Sequence, residues 1–178
     1  MDWYTFKLFV GILFRYYLHK MEQIVQLNSN AKLSEHFVLG EFTKSGSHPE
    51  VYNIPSHEAI ANLKRLCGWL EELRKRYNER YGVGEEPIRI NSGYRSPQLN
   101  RAIHGNANSN HMTGCACDIR VSGMEQALRY AVILMDYADE SKQEFDELLI
   151  ERNRYRAIWV HFAVRPKDNR RKILFVNA

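Results

Sequence analysis

Apolar residues recur three and four apart between residues 56 and 81. Ile60, Leu63, Leu66, Leu70, Leu73, Tyr77 and Tyr81 fall on one stripe, which predicts a long amphipathic helix over Ser56–Tyr81. Ser56 is placed to cap its start and Gly82 to end it. A second stripe, Ala127, Leu128, Ala131, Leu134 and Met135, predicts a helix from about Met124 to Ala138 with these residues buried. Strands are expected at Pro87–Asn91, with Ile88 and Ile90 on one face, and at about 116–121, 146–151, 158–164 and 172–176. Ser96, Pro97 and Gly105 mark the cap, first turn and stop of a short helix. Another short helix is expected near Leu39–Thr43, in an otherwise loop-rich stretch over 28–55. The turn Arg152–Ala157 predicts a hairpin, and a turn around Asp168–Asn169 predicts a second one joining the last two strands. Helices come first and antiparallel strands collect at the end, so the expected class is α+β.

A chain of 178 residues suits one globular domain, expected over 28–178 and preceded by an apolar extension over 1–27. With 44% hydrophobic and 26% charged residues, the composition excludes disordered and collagen-like classes. The net charge of +4 is mild and its basic residues are scattered, which reads as solvated faces, with no nucleic-acid partner expected. Three cysteines, Cys67, Cys115 and Cys117, make no disulfide framework, and a reducing compartment is the default inference. Cys115 and Cys117 lack the second ligand pair of a structural zinc site, and are expected to be small buried residues facing away from Asp118.

Trp3, Tyr4, Phe6, Leu8, Phe9, Val10, Ile12, Leu13 and Phe14 crowd the N-terminus, interrupted by Lys7 and Arg15. This run is shorter than the ~20 residues that span a bilayer. Neither the leading positive charge nor the small-residue cleavage site of a signal peptide is clear in it. Three readings stay open: an amphipathic helix on the domain or on a membrane surface, a degenerate export signal, or a non-native extension ahead of Met21. The expectation is an appendage outside the catalytic fold.

The segment Ser109-Asn110-His111-Met112-Thr113-Gly114-Cys115-Ala116-Cys117-Asp118 carries the chemistry. It places a histidine in a loop and an aspartate just inside a strand, with Gly114 allowing a tight turn between them. Zinc accepts both ligand types at about 2.0–2.2 Å. In Trp159-Val160-His161-Phe162 a histidine is centred in an apolar strand, where a metal and an ordinary core partner are both open on spacing alone.

Residues 109–118 match the pattern Ser-x-His-x-x-Gly-x-Ala-x-Asp, and Asn91-Ser92-Gly93-Tyr94-Arg95-Ser96 and Trp159-Val160-His161 fall upstream and downstream of it. In these three ordered motifs the chain resembles the zinc D-Ala-D-Ala carboxypeptidases, a family that includes vancomycin-resistance D,D-dipeptidases and phage L-alanyl-D-glutamate endolysins. Leu33-Ser34-Glu35-His36-Phe37 and Gly40-Glu41-Phe42 resemble the opening of its smaller members, so the likeness covers roughly residues 33–165. The resemblance implies a hedgehog/D,D-peptidase-like fold, a small antiparallel sheet packed with helices. It implies Zn2+ held by His111, Asp118 and His161, with Arg95 facing the reacting carbonyl and Ser109 and Trp159 lining the substrate pocket. It also implies a bacterial or phage-encoded enzyme, cytoplasmic at synthesis and acting at the cell wall. Its partner would be peptidoglycan or its stem peptides. His36, His48, His57 and His104 match no motif role and read as surface or loop histidines.

One position departs from the resemblance. Well-known members carry a carboxylate three residues before the last histidine as general base, and here that residue is Ile158. The alternative reading is therefore a non-catalytic zinc-containing cell-wall-binding or phage structural module of the same fold. For a hydrolase, the base is placed on Glu151. A hairpin centred near Arg154–Tyr155 that pairs Glu151 with Trp159 would put its carboxylate on the face of His161. Glu147 has the same parity and is the reserve candidate.

Overall fold

Ser56 accepts a hydrogen bond from the Ala59 backbone and opens the long helix α2 (His57–Tyr81), which follows the short α1 (Leu39–Thr43). At its end the Gly82 N–H reaches the Asn78 carbonyl at 3.1 Å. The computed structural model describes residues 28–82 and 84–177, so the apolar extension lies outside the described residues. The inner face of α2 buries Leu63, Leu66, Leu70 and Leu73 completely. Each contributes roughly 1.5–3 kcal/mol of apolar burial. The remaining elements are β1 (Ile90–Ser92), α3 (Pro97–Ala102), a 3-10 turn (Asn110–Thr113), β2 (Ala116–Arg120), α4 (Met124–Ser141), β3 (Glu147–Arg152), β4 (Ile158–Ala163) and β5 (Lys172–Asn177). No helix among the described residues is long and apolar enough to cross a membrane.

The five strands form one sheet in the order β1-β2-β4-β3-β5. One face packs on α2 and α4, with Trp69 edge-on to Phe145 and near Phe162 at the centre. The other face carries the site. Cys117 points into the core beside Ile119, and all three cysteines are buried and free. Burial raises the Cys117 thiol well above its ordinary value, so it stays a neutral thiol.

Two expectations fail. On α4 the buried residues are Ala127, Tyr130, Ala131, Ile133, Leu134 and Ala138, while Leu128 is 52% exposed. The core stripe is rotated toward Tyr130, whose ring packs edge-on against Tyr77 of α2. The last two strands form no hairpin either. β5 pairs parallel to β3, so the sheet is mixed rather than purely antiparallel. Both edges of β4 are occupied, by β2 and β3, and the segment leaving β4 crosses the start of β3, where the Asp146 side chain binds Arg165 and Arg170 and its carbonyl accepts from Lys172 N.

Candidate metal centre

The ladder between β2 and β4 pairs Asp118 directly with His161. Paired residues share a face, so two strand positions far apart in sequence project side by side. His111 reaches them from the 3-10 turn. That turn is fixed to α2, where the buried Asn62 donates to the Thr113 carbonyl at 2.9 Å. Gly114 ends it at φ +72°, and a Cβ there would lie 2.4 Å from the Ala59 carbonyl oxygen. Only glycine satisfies both the left-handed backbone and this contact.

Three acceptor-type atoms converge. His111 Nε2 lies 3.2 Å from His161 Nδ1 and 3.4 Å from Asp118 Oδ1, and His161 Nδ1 lies 3.0 Å from the same Oδ1. All three residues are buried. A tetrahedral ion with bonds of about 2.0–2.1 Å needs ligand edges of about 3.3–3.4 Å, so the group fits zinc. The tautomer fits as well. His111 Nδ1 faces the Gly93 carbonyl at 2.7 Å, which only accepts, so Nδ1 carries the hydrogen and Nε2 is left with its lone pair. Gly93 sits where a Cβ would collide with Phe42 at 2.6 Å, which holds that carbonyl close to the ring.

Electrostatics point to a cation at the same spot. Burial pushes the Asp118 carboxyl up, but the charge and hydrogen bonds of His111 and His161 outweigh it and hold the group well below the carboxylate range. Burial pulls the His161 ring down, and its contacts with Asp118 and Glu147 overcome this and raise it to about 9.

The remaining site residues are arranged around this group, lining a cleft of ≈ 480 Å³. Arg95 donates to Asp118 Oδ2 at 2.8 Å and to Ser92 Oγ at 3.1 Å, so its guanidinium is tied to the carboxylate of the metal group. Ser109 lines the cleft, and its hydroxyl also accepts from His111 N at 3.3 Å. Trp159 forms part of the wall. His36 is bound to Glu71 and His48 to Glu50, while His57 begins α2 and His104 follows α3, all away from the cleft.

Ile158 pairs with Arg152 and packs against the core, on the face opposite His161. In a regular strand, a side chain three residues before the histidine cannot reach the metal group. Glu151 pairs with Trp159 and lines the cleft. Among the described residues its side chain makes no hydrogen bond or ion pair. Glu147 is differently placed, 3.5 Å from His161 Nε2 and bound to Asn110 and Arg170. Sequence reading gave no role to Asn110 or Asp146. Their only signal is position: Asn110 precedes the first histidine, and Asp146 precedes Glu147 at the strand entry.

A buried His-Asp-His group that could hold a metal ion thus stands on the open face of a mixed sheet, beside an arginine and a carboxylate without a partner among the described residues. The sequence profile of the family described as Peptidase M15 matches residues 35–155, and the chain belongs to that family. It is thus a hydrolytic peptidase of a zinc-dependent family. The matched stretch contains His111 and Asp118 and ends before His161, which the β2–β4 pairing brings in. No curated protein matched the sequence.

Proposed function

We propose that the protein hydrolyses peptidoglycan stem-peptide bonds next to D-amino acids, as a D-Ala-D-Ala carboxypeptidase or an endolysin-type endopeptidase acting at the cell wall. The convergence of His111 Nε2, His161 Nδ1 and Asp118 Oδ1 in an open cleft carries this reading. His111, Asp118 and His161 would hold a zinc ion there, and the bound ion would supply Lewis acidity for a carbonyl and for water near neutral pH.

The chain's own residues do the rest. Glu151 takes a proton from the attacking water and returns it to the leaving amine. It is suited to this because no neighbouring cation or amide occupies its carboxylate among the described residues, and it opens on the cleft. Arg95 fixes Asp118 and adds positive charge beside the reacting carbonyl. Trp159 and Ser109 shape the walls that orient the peptide.

The test is incubation of the protein with purified peptidoglycan, with and without a chelator. Chelator-sensitive release of free D-Ala supports the carboxypeptidase reading, and new amino termini support the endopeptidase reading. If neither appears while the protein holds zinc, the hydrolytic reading fails and the wall-binding alternative takes its place.

A further inference from the structure

Behind the metal group lies a second layer of charge that the reaction does not use. Asp146 is completely buried at the entry to β3. It takes Arg170 Nε at 2.8 Å and Nη2 at 2.7 Å, Arg165 Nε at 3.0 Å, and Asn110 Nδ2 at 2.7 Å. The same Asn110 amide reaches Glu147 Oε2 at 2.9 Å, and Asn110 Oδ1 accepts from Arg165 Nε at 3.0 Å. Arg170 closes the circuit on Glu147 Oε1 at 2.9 Å. Lys172 Nζ lies 3.5 Å from the same Oε1, and held between these partners Glu147 has its Oε2 3.5 Å from the outward nitrogen of His161.

We infer that Glu147 is the positioning carboxylate of the zinc site: it faces His161 Nε2–H, so that His161 presents Nδ1 to the metal, and Asn110 couples it to the turn that carries His111. The inference rests on the zinc reading above. A histidine can bind a metal through either nitrogen, and the partner of the other nitrogen decides which. His111 has a carbonyl in that role, from Gly93, and His161 has Glu147. Both histidines are thereby fixed from behind, in opposite senses: His111 offers Nε2 and His161 offers Nδ1. Glu147 is also too committed to shuttle a proton. Asn110 Nδ2 occupies its Oε2, and Arg170 Nη2 and Lys172 Nζ its Oε1, at 2.9, 2.9 and 3.5 Å. This separates it from Glu151, which lies on the same face of β3 one turn of the pleat beyond Leu149 and has no such partners among the described residues.

The experiment measures zinc affinity of the metal-stripped protein by competition with a chromophoric chelator. Wild type, Glu147→Ala, Glu147→Gln and Glu151→Gln are compared. Glu147→Ala is expected to bind zinc about 10–100-fold more weakly, the usual cost of losing such a partner. Glu147→Gln should recover much of this, because its amide oxygen still accepts from the ring, and Glu151→Gln should stay close to wild type. Cobalt(II) loaded into Glu147→Gln should show shifted visible absorption bands, a change that loss of a merely structural residue would not cause. If Glu147→Ala fails to fold, Glu147→Gln carries the test through its affinity and cobalt bands together. Native affinity in a folded Glu147→Ala, or unshifted bands and native affinity in Glu147→Gln, overturns the inference. Absence of stoichiometric zinc binding in the wild type would instead overturn the zinc reading on which it stands.

Discussion

Glu151 stands directly across the β3–β4 ladder from Trp159, on the side of the sheet that carries His161. The two carboxylates of β3 flank Leu149, the residue opposite His161, and they are not equivalent. Glu147 is bound on several sides, whereas Glu151 faces the cleft without a partner among the described residues.

Glu151→Gln is accordingly expected to keep zinc and fold while hydrolysis falls by about 10²–10⁴-fold, the range for a positioned general base. Peptidoglycan digestion by the purified variant, normalised to bound zinc, checks this. Cleavage at the native rate would remove Glu151 from the mechanism.

His111→Ala and His161→Ala should each lose stoichiometric zinc, read by elemental analysis. Because bound metal stabilises only the folded chain, zinc should raise the melting temperature of the wild type and not that of either variant. A full zinc equivalent in both variants would show the ligand set to be wrong.

Arg95→Ala should lower turnover by about 10²–10³-fold if its charge assists at the reacting oxygen. The ion pair with Asp118 adds a second effect, a loss of zinc affinity of up to about tenfold. Arg95→Lys should restore only part of either, since lysine lacks the fork that spans Asp118 and Ser92. Unchanged turnover in the alanine variant, measured at saturating zinc, would leave Arg95 with a structural part only.

Asp146→Asn tests the charged layer through pH. Burial pushes this carboxyl up, but Arg170, Asn110 and Arg165 outweigh it and depress it below its ordinary value. A depressed acid stabilises the fold above its unfolded value of 3.8, and that contribution is lost as pH falls through the lower folded value. The variant should therefore be less stable than wild type at neutral pH by roughly 2–3 kcal/mol, below the ~3–5 of a fully buried pair because both arginines still reach water. The gap should begin to narrow below about pH 4 and close as pH falls through the lower folded value. A gap in denaturant midpoint that stays constant down to pH 3 would contradict the assignment.

The local patterns were legible in the sequence. The three-and-four spacing of α2 and its Ser56 cap, the short helix after Ser96, and the Glu151–Trp159 register of the hairpin follow from rules acting over a few residues: helical period, strand alternation and turn length. The motif residues His111 and Asp118 could be named for the same reason, since they sit seven apart on one loop and strand. Only the tertiary structure decided how distant pieces meet. Rotation of α4 about its stripe left Leu128 outside because the partner of that face, Tyr77, lies on another helix. β5 joined β3 rather than β4 because β2 and β3 already occupy both edges of β4, and buried Asp146 holds Arg165 and Arg170 at the entry to β3. Arg95 turned toward Asp118, and Glu147 toward His161, for a kindred reason. A buried charge takes whichever counter-charge the packed chain brings within reach, and no periodicity along the sequence encodes that choice.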